Sequence, residues 1–257
     1  MKNNFIGLLL SFQFFSSVPI RKQLSMNEKS VSAMFYLMPI LGSLMGASLL
    51  FLKVMNDEFF QFSPLFMAII LVVAGIIMTG GLHLDGWIDM SDAYFSYQDQ
   101  ERRLAILDDS RVGAFGVISL FILILLKVGF LYEVIDQNKN NLFLFFLMIP
   151  FLSRIALLLY FLTTPNGKEK GLAVYFKSQV NDKKIWTALI IYTVLFFVVT
   201  YYFLNVVGLI LFIAMIIFVF IYRNWTIKNF GGMTGDLLGA IYEAMEVILW
   251  GIVLLSI

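Results

Sequence analysis

Three aspartates, Asp85, Asp89 and Asp92, recur at i, i+4 and i+7 within the run TGGLHLDGWIDMSDAY. On an α-helix this spacing places all three carboxylates along one face, spread over about two turns at ~1.5 Å rise per residue. Carboxylates so arranged repel one another, and a bound divalent cation relieves the repulsion. Mg²⁺ favours a few carboxylates completed by waters and phosphate oxygens, so a metal–phosphate site is the chemistry expected here. A solvated acidic helix face is the plainer alternative. It is disfavoured because Trp87, Ile88 and Met90 lie between the acids and Gly80, Gly81 and Gly86 allow close approach to a span end. His83, two residues before the first aspartate, is either a general base or phosphate donor, or an ion-pair partner that holds the loop; the residues alone leave both open.

Two further segments carry phosphate chemistry. In ERRLAILDDSRVGAFG, Asp109, Ser110 and Arg111 stand at the entry to an apolar stretch, where a guanidinium fork suits bidentate phosphate contact. Arg102 and Arg103 are read instead as helix-surface partners, since Asp99 and Arg103 are four apart. In GGMTGDLLGAIYEAME, Gly231, Gly232, Thr234 and Gly235 precede a helix whose N-terminal N–H groups can hold phosphate, and Asp236 follows them. Gly235 and Gly239 form a G-x-x-x-G step that reads as close helix packing. Glu243 and Glu246 follow inside an apolar span, with Lys127 and Arg154 as their intramembrane partners. Whether these four form structural ion pairs or a buried polar cavity is left open, and Arg154 joins the phosphate-binding candidates. Both Gly-Gly steps carry an aspartate five residues on, Gly80 to Asp85 and Gly231 to Asp236, a faint parallel repeat.

The elements that must position these residues are membrane helices. Of 257 residues, 60% are hydrophobic and 14% charged, against about 45–50% and ~25% in soluble domains, which excludes a water-soluble enzyme. Seven apolar stretches of spanning length occur, near 31–53, 62–79, 113–132, 141–162, 185–204, 206–222 and 237–257. The expected fold is therefore all-α, a polytopic bundle of about seven transmembrane helices in one domain over residues 1–257. An N-terminal interfacial helix near 5–15 is preferred to a signal peptide, because Gln13 interrupts the run and no Ala-x-Ala site follows. With the N-terminus inside, fourteen Lys and Arg fall on the cytoplasmic side, while the opposite loops hold only Lys139. This asymmetry puts the loops 80–112 and 163–184 in the cytoplasm and the C-terminus outside, in a cell inner membrane. The first loop holds seven of the seventeen acids and is expected to be the seat of function.

A net charge of +1 offers no field for nucleic acid, and no cysteine with a single histidine excludes thiolate and multi-histidine metal sites. Any metal relies on oxygen ligands.

At these residues the chain resembles the cobalamin synthase family, the adenosylcobinamide-GDP ribazoletransferases. The resemblance rests on HLDGWIDMSD at 83–92, DSRVGAFG at 109–116 and GGMTGDLLGAIYEAME at 231–246, with weaker echoes in FQFFSSVPI and GLAVYF. Ala93 and Asp108 depart from the residues the family usually has there, a glycine and a basic residue. The resemblance implies attack of a ribose hydroxyl of α-ribazole, or of its 5′-phosphate, on adenosylcobinamide-GDP with release of GMP. It also implies Mg²⁺ on Asp85, Asp89, Asp92 and Asp236, one of the loop aspartates or His83 as base, and phosphate held by Arg111 and the 232–235 backbone. A lipid bilayer is the implied setting, and a homo-oligomer is compatible with it. A CDP-alcohol phosphotransferase of lipid synthesis is the competing enzyme, but Asp85-Gly86 is followed by Trp87, Ile88 and Asp89, which breaks its Asp-Gly-x-x-Ala-Arg step. A transporter is the alternative of another class, its path lined by Lys127, Arg154, Glu243 and Glu246.

Overall fold

The computed structural model describes residues 2–137, 142–203 and 205–256, so Lys139 and the expected span ends at Asn141, Leu204 and Ile257 lie outside the described residues. In chain order the helices are α1 (Lys2–Phe15), α2 (Glu28–Tyr36), α3 (Met38–Met55), α4 (Pro64–Thr79), α5 (Leu82–Phe95), α6 (Gln100–Ile106), α7 (Ala114–Asp136), α8 (Leu142–Thr163), α9 (Leu172–Gln179), α10 (Asp182–Phe203), α11 (Asn205–Phe230) and α12 (Gly235–Ser256). Six helices are long and apolar enough to cross a bilayer alone. The pair α4–α5 is long and apolar enough only when taken together and is bent by 93°, the shape of a broken span or a re-entrant loop, which makes six to seven candidate spans. The chain is a multi-pass helical membrane protein, as its composition requires.

Local sequence explains where the helices begin and break. Asn27 and Ser30 form a reciprocal cap on α2, each side chain bonding the other's backbone N–H at 3.0 Å. Ser63 caps α4 and Pro64 occupies its first turn, where a missing N–H costs nothing. Gly80 and Gly81 adopt φ of 65° and 75°, conformations that L side chains resist, and their N–H groups close α4 on Ile77 and Ile76. That double turn breaks the span.

The bundle is built around α8 and α12. About 78% and 67% of their apolar stretches lie inside the protein, against 22–33% for α3, α7, α10 and α11, whose outer faces carry Phe121, Ile190, Val194, Ile217 and Phe220 toward lipid. With lipid as apolar as leucine, helix association rests on close packing, and small residues supply it. Gly42 and Gly46 of α3 lie on α8; a methyl built on Gly46 would sit 2.0 Å from the Phe146 carbonyl oxygen.

One expectation is corrected by the architecture. The segment from residue 80 is not an external loop over its first half: α5 is packed into the bundle against α12 and α7, burying His83, Leu84, Met90, Asp92 and Ala93. Gly86 and Gly239 permit this, since a methyl on Gly86 would lie 2.4 Å from the Asp236 carbonyl oxygen and one on Gly239 would lie 3.1 Å from the His83 backbone. The first expected span is likewise resolved into α2 and α3, which meet at Leu37 ahead of Pro39.

Gly46→Leu is expected to destabilise the folded protein by about 1–3 kcal/mol or prevent its accumulation. Gly75→Leu, where a Cβ meets nothing within 4 Å, is expected to leave thermal unfolding in detergent unchanged.

Candidate active site

At one end of the bundle a cavity of about 340 Å³ opens between α1, α5, α9, α12 and the loops before α7 and α9. Its floor is aromatic and aliphatic, with Phe15, Phe35 and Met38. Its polar wall holds His83, Asp85, Asp108, Lys168, Lys170 and Asp236, with Thr234 and Gly235 beside them. The volume suits part of a small ligand more than a whole large one.

The two principal aspartates come from different spans. Gly86 abuts Asp236, and His83, three residues earlier, abuts Gly239, three residues later, so α5 and α12 run antiparallel with Asp85 and Asp236 on the same cavity. Both belong to Gly-Gly-then-Asp steps, and in both steps each glycine has positive φ. Asp89 feels the charges of Asp85, Asp236 and Asp92, with Lys168 acting in the opposite sense.

Asp92 has a different task from its neighbours. Its two carboxylate oxygens accept N–H bonds from Gly113 at 2.6 Å and Gly116 at 2.8 Å, so it caps the first turn of α7 across the helix interface. Gly113 and Gly116 are small because a Cβ on either would lie 2.4 Å from that carboxylate. The expected metal and catalytic roles of Asp92 thus fall on a carboxylate that already holds the α7 N-terminus. Among the described residues, no group of three or more His, Asp or Glu side chains converges to metal-binding distance.

His83 is 2% exposed, with Nε2 buried and without a hydrogen-bond partner, and its ring lies between Phe15 at 6.4 Å and Tyr242 at 4.5 Å. Among the described residues, no carboxylate pairs with it within salt-bridge distance. Arg154, expected near phosphate, is fully buried in α8; its guanidinium lies 4.3 Å from the Tyr242 ring centroid, and Nε and Nη1 have no hydrogen-bond partner. It does not line the cavity. Lys127 bonds both acids of α12, Glu243 at 2.5 Å and Glu246 at 2.8 Å, and Tyr242 donates its hydroxyl to Glu246. Two of the four expected intramembrane charges thus share one lysine, while Arg154 is held by an aromatic face.

The 109–111 segment lies away from the cavity wall. Arg111 is 86% exposed and forks onto Asp109, with Nη2 to Oδ2 at 2.6 Å, and that hydrogen bonding holds the Asp109 carboxyl down at about 2. Ser110 is exposed beside it. Asp99 caps α6, and Arg103 reaches Asn229 at 2.6 Å and covers Tyr94, so the expected Asp99–Arg103 pair is not formed. Of the G-x-x-x-G step only Gly239 is a packing position; Gly235 faces open space at the cavity.

Residues that sequence reasoning missed stand on the 165–171 loop. Met233 N–H donates to the Pro165 carbonyl at 2.7 Å and Gly167 N–H to the Met233 carbonyl at 2.8 Å, pinning this loop to the segment that opens α12. Lys168 thereby enters the wall, bonded to Asp108 at 2.8 Å. The only signal in the chain was the cluster of lysines before GLAVYF.

Residues 7–254 match the family model described as cobalamin-5-phosphate synthase. Curated relatives named adenosylcobinamide-GDP ribazoletransferase include that of Geobacillus thermodenitrificans, 35% identical over 98% of this chain and 97% of the relative. Those of Geobacillus kaustophilus, 35% identical over 98% and 97%, and Listeria monocytogenes, 34% identical over 96% and 99%, are similar along their whole length too. No solved structure matches the chain significantly.

Lys127→Met leaves two buried carboxylates without their cation and is expected to cost about 3–5 kcal/mol. Adding Glu243→Gln and Glu246→Gln is expected to recover most of that loss, both read by thermal unfolding in detergent.

Proposed function

Because the chain belongs to the cobalamin-5-phosphate synthase family, we propose that it joins adenosylcobinamide-GDP to α-ribazole or its 5′-phosphate, releasing GMP and closing the nucleotide loop of the cobamide. The observation that carries the reading to this chain's own residues is the meeting of Asp85 and Asp236, from motifs about 150 residues apart, on one cavity wall. In the reaction the ribose oxygen forms a bond to the cobinamide-linked phosphorus while the bond from that phosphorus to the GMP oxygen breaks. The electron pair leaves with GMP. The hydroxyl proton passes to His83, whose Nε2 faces no competing partner, or to one of the cavity aspartates.

The donor set suits Mg²⁺. Asp85, Asp89 and Asp236 offer hard oxygen ligands whose mutual repulsion a cation relieves, and Mg²⁺ takes one or two carboxylates with waters and substrate phosphate oxygens rather than an all-protein cage. Asp92 is left out of this set because its oxygens serve α7. When bound, the ion supplies charge neutralisation on the phosphates as GMP departs. The chain's own part is to hold the pyrophosphate at the α12 N-terminus, around Gly232, Thr234 and Gly235, and to seat the organic portion on Phe15, Phe35 and Met38.

The excess of Lys and Arg in the connections supports an orientation with the site end and the N-terminus in the cytoplasm and the C-terminus outside a cell inner membrane.

Purified protein is expected to release GMP only with both substrates present and to lose activity in EDTA. Asp85→Asn and Asp236→Asn are expected to lower turnover on the order of a hundredfold, the scale on which removal of one fixed electrostatic contact acts. Wild-type turnover and unchanged Mg²⁺ response in both variants would overturn the assignment.

A further inference from the structure

We propose that Lys168 is the phosphate anchor of the nucleotide half of the substrate, the 165–171 loop forming an anion subsite at the cavity edge. This rests on the ribazoletransferase reading for the identity of the nucleotide. A pyrophosphate substrate must approach a wall that presents Asp85, Asp108 and Asp236, with Asp89 behind them. Among the described residues lining that wall, Lys168 and Lys170 are the only cations. Arg111, which the sequence favours for phosphate, points into solvent and is tied to Asp109.

Lys168 is also poised to exchange partners. Its side chain is 20% exposed while that of Asp108, its partner at 2.8 Å, is 72% exposed. A carboxylate so open to water binds an ammonium weakly, and a phosphate carrying more charge displaces it. The loop backbone is fixed, so the lysine is presented rather than searching: Pro165 and Gly167 are bonded to Met233, and a methyl on Gly232 would lie 2.3 Å from the Pro165 carbonyl oxygen. The same contact sets Lys168 beside the opening turn of α12, whose N–H dipoles favour the same anion. His83, whose buried Nε2 has no hydrogen-bond partner, lines this cavity as well.

The test uses the full chain in detergent, measuring GMP binding by calorimetry together with steady-state kinetics, for the wild type and for Lys168→Gln, Lys168→Arg and Asp108→Asn. Loss of a charge-assisted hydrogen bond is expected to weaken GMP binding and raise KM for adenosylcobinamide-GDP by roughly tenfold to a hundredfold in Lys168→Gln, with KM for α-ribazole unchanged. Lys168→Arg is expected to retain most of the affinity. Asp108→Asn is expected to keep or tighten GMP binding, because it releases the ammonium. Wild-type GMP affinity in Lys168→Gln overturns the proposal. So does an Asp108→Asn variant weakened as much as Lys168→Gln, the result of a purely structural pair. If Lys168→Gln does not fold, the Arg and Asn variants decide. Wild-type turnover with an unaffected Lys168→Gln sinks the subsite alone, whereas GMP binding that depends on Lys168 without turnover sinks the transferase reading alone.

Discussion

The close approach of α5 to α12 is the constraint on which the site depends. Two helices meet backbone to backbone only where side chains are absent, and Gly86 and Gly239 supply the two gaps, one on each helix. Their antiparallel contact sets Asp85 against Asp236 and carries His83 down beside Tyr242. A side chain at either glycine separates the helices and opens the carboxylate wall. The break at Gly80–Gly81 serves the same end, since only a sharp turn lets a chain leaving α4 enter the groove between α7 and α12.

A bundle that buries charge in lipid must pair it, because an isolated ion in hydrocarbon is costly. Lys127 answers two glutamates of α12, Tyr242 bonds one of them, and the Tyr242 ring faces both Arg154 and His83. Packing and polar contacts thus form one connected layer beneath the cavity. Asp92 is part of the same economy of satisfied groups: it covers orphan N–H groups at the α7 N-terminus that no earlier helix turn can satisfy.

The cavity itself is assembled by loops. Residues 163–167 are tied to α11 and α12 through Arg223 on the Thr163 carbonyl at 2.9 Å and through the Met233 bridge. This anchoring converts a basic loop into one wall of the site and places a lysine among carboxylates. The opposite loop contributes Asp108, while Arg111 three residues on is turned out by its own pairing with Asp109.

Much of the plan was legible in the chain. Apolar stretches of bilayer length are a one-dimensional property, so a bundle of six to seven candidate spans follows from composition and length. Asp85 stood out because it heads a row of carboxylates on one helix face, Asp236 because it opens an apolar span after a run of glycines, and Lys127 with Glu243 and Glu246 because buried ions need partners. What the linear chain could not show is which way a side chain faces once helices pack. Spacing at i, i+4 and i+7 made Asp92 look like Asp85 and Asp89, yet 100° of helix rotation per residue, acting against a particular neighbour, turned it onto α7. Lys168 and Asp108, 60 residues apart, carry no shared pattern; the bridge between Asn166 and Met233 holds the Lys168 loop against the segment that opens α12, and there Lys168 meets Asp108. Sequence periodicity determined which segments are long and apolar enough to cross the membrane and where the acidic and glycine-rich motifs lie; long-range backbone contact decided which of their residues share a cavity.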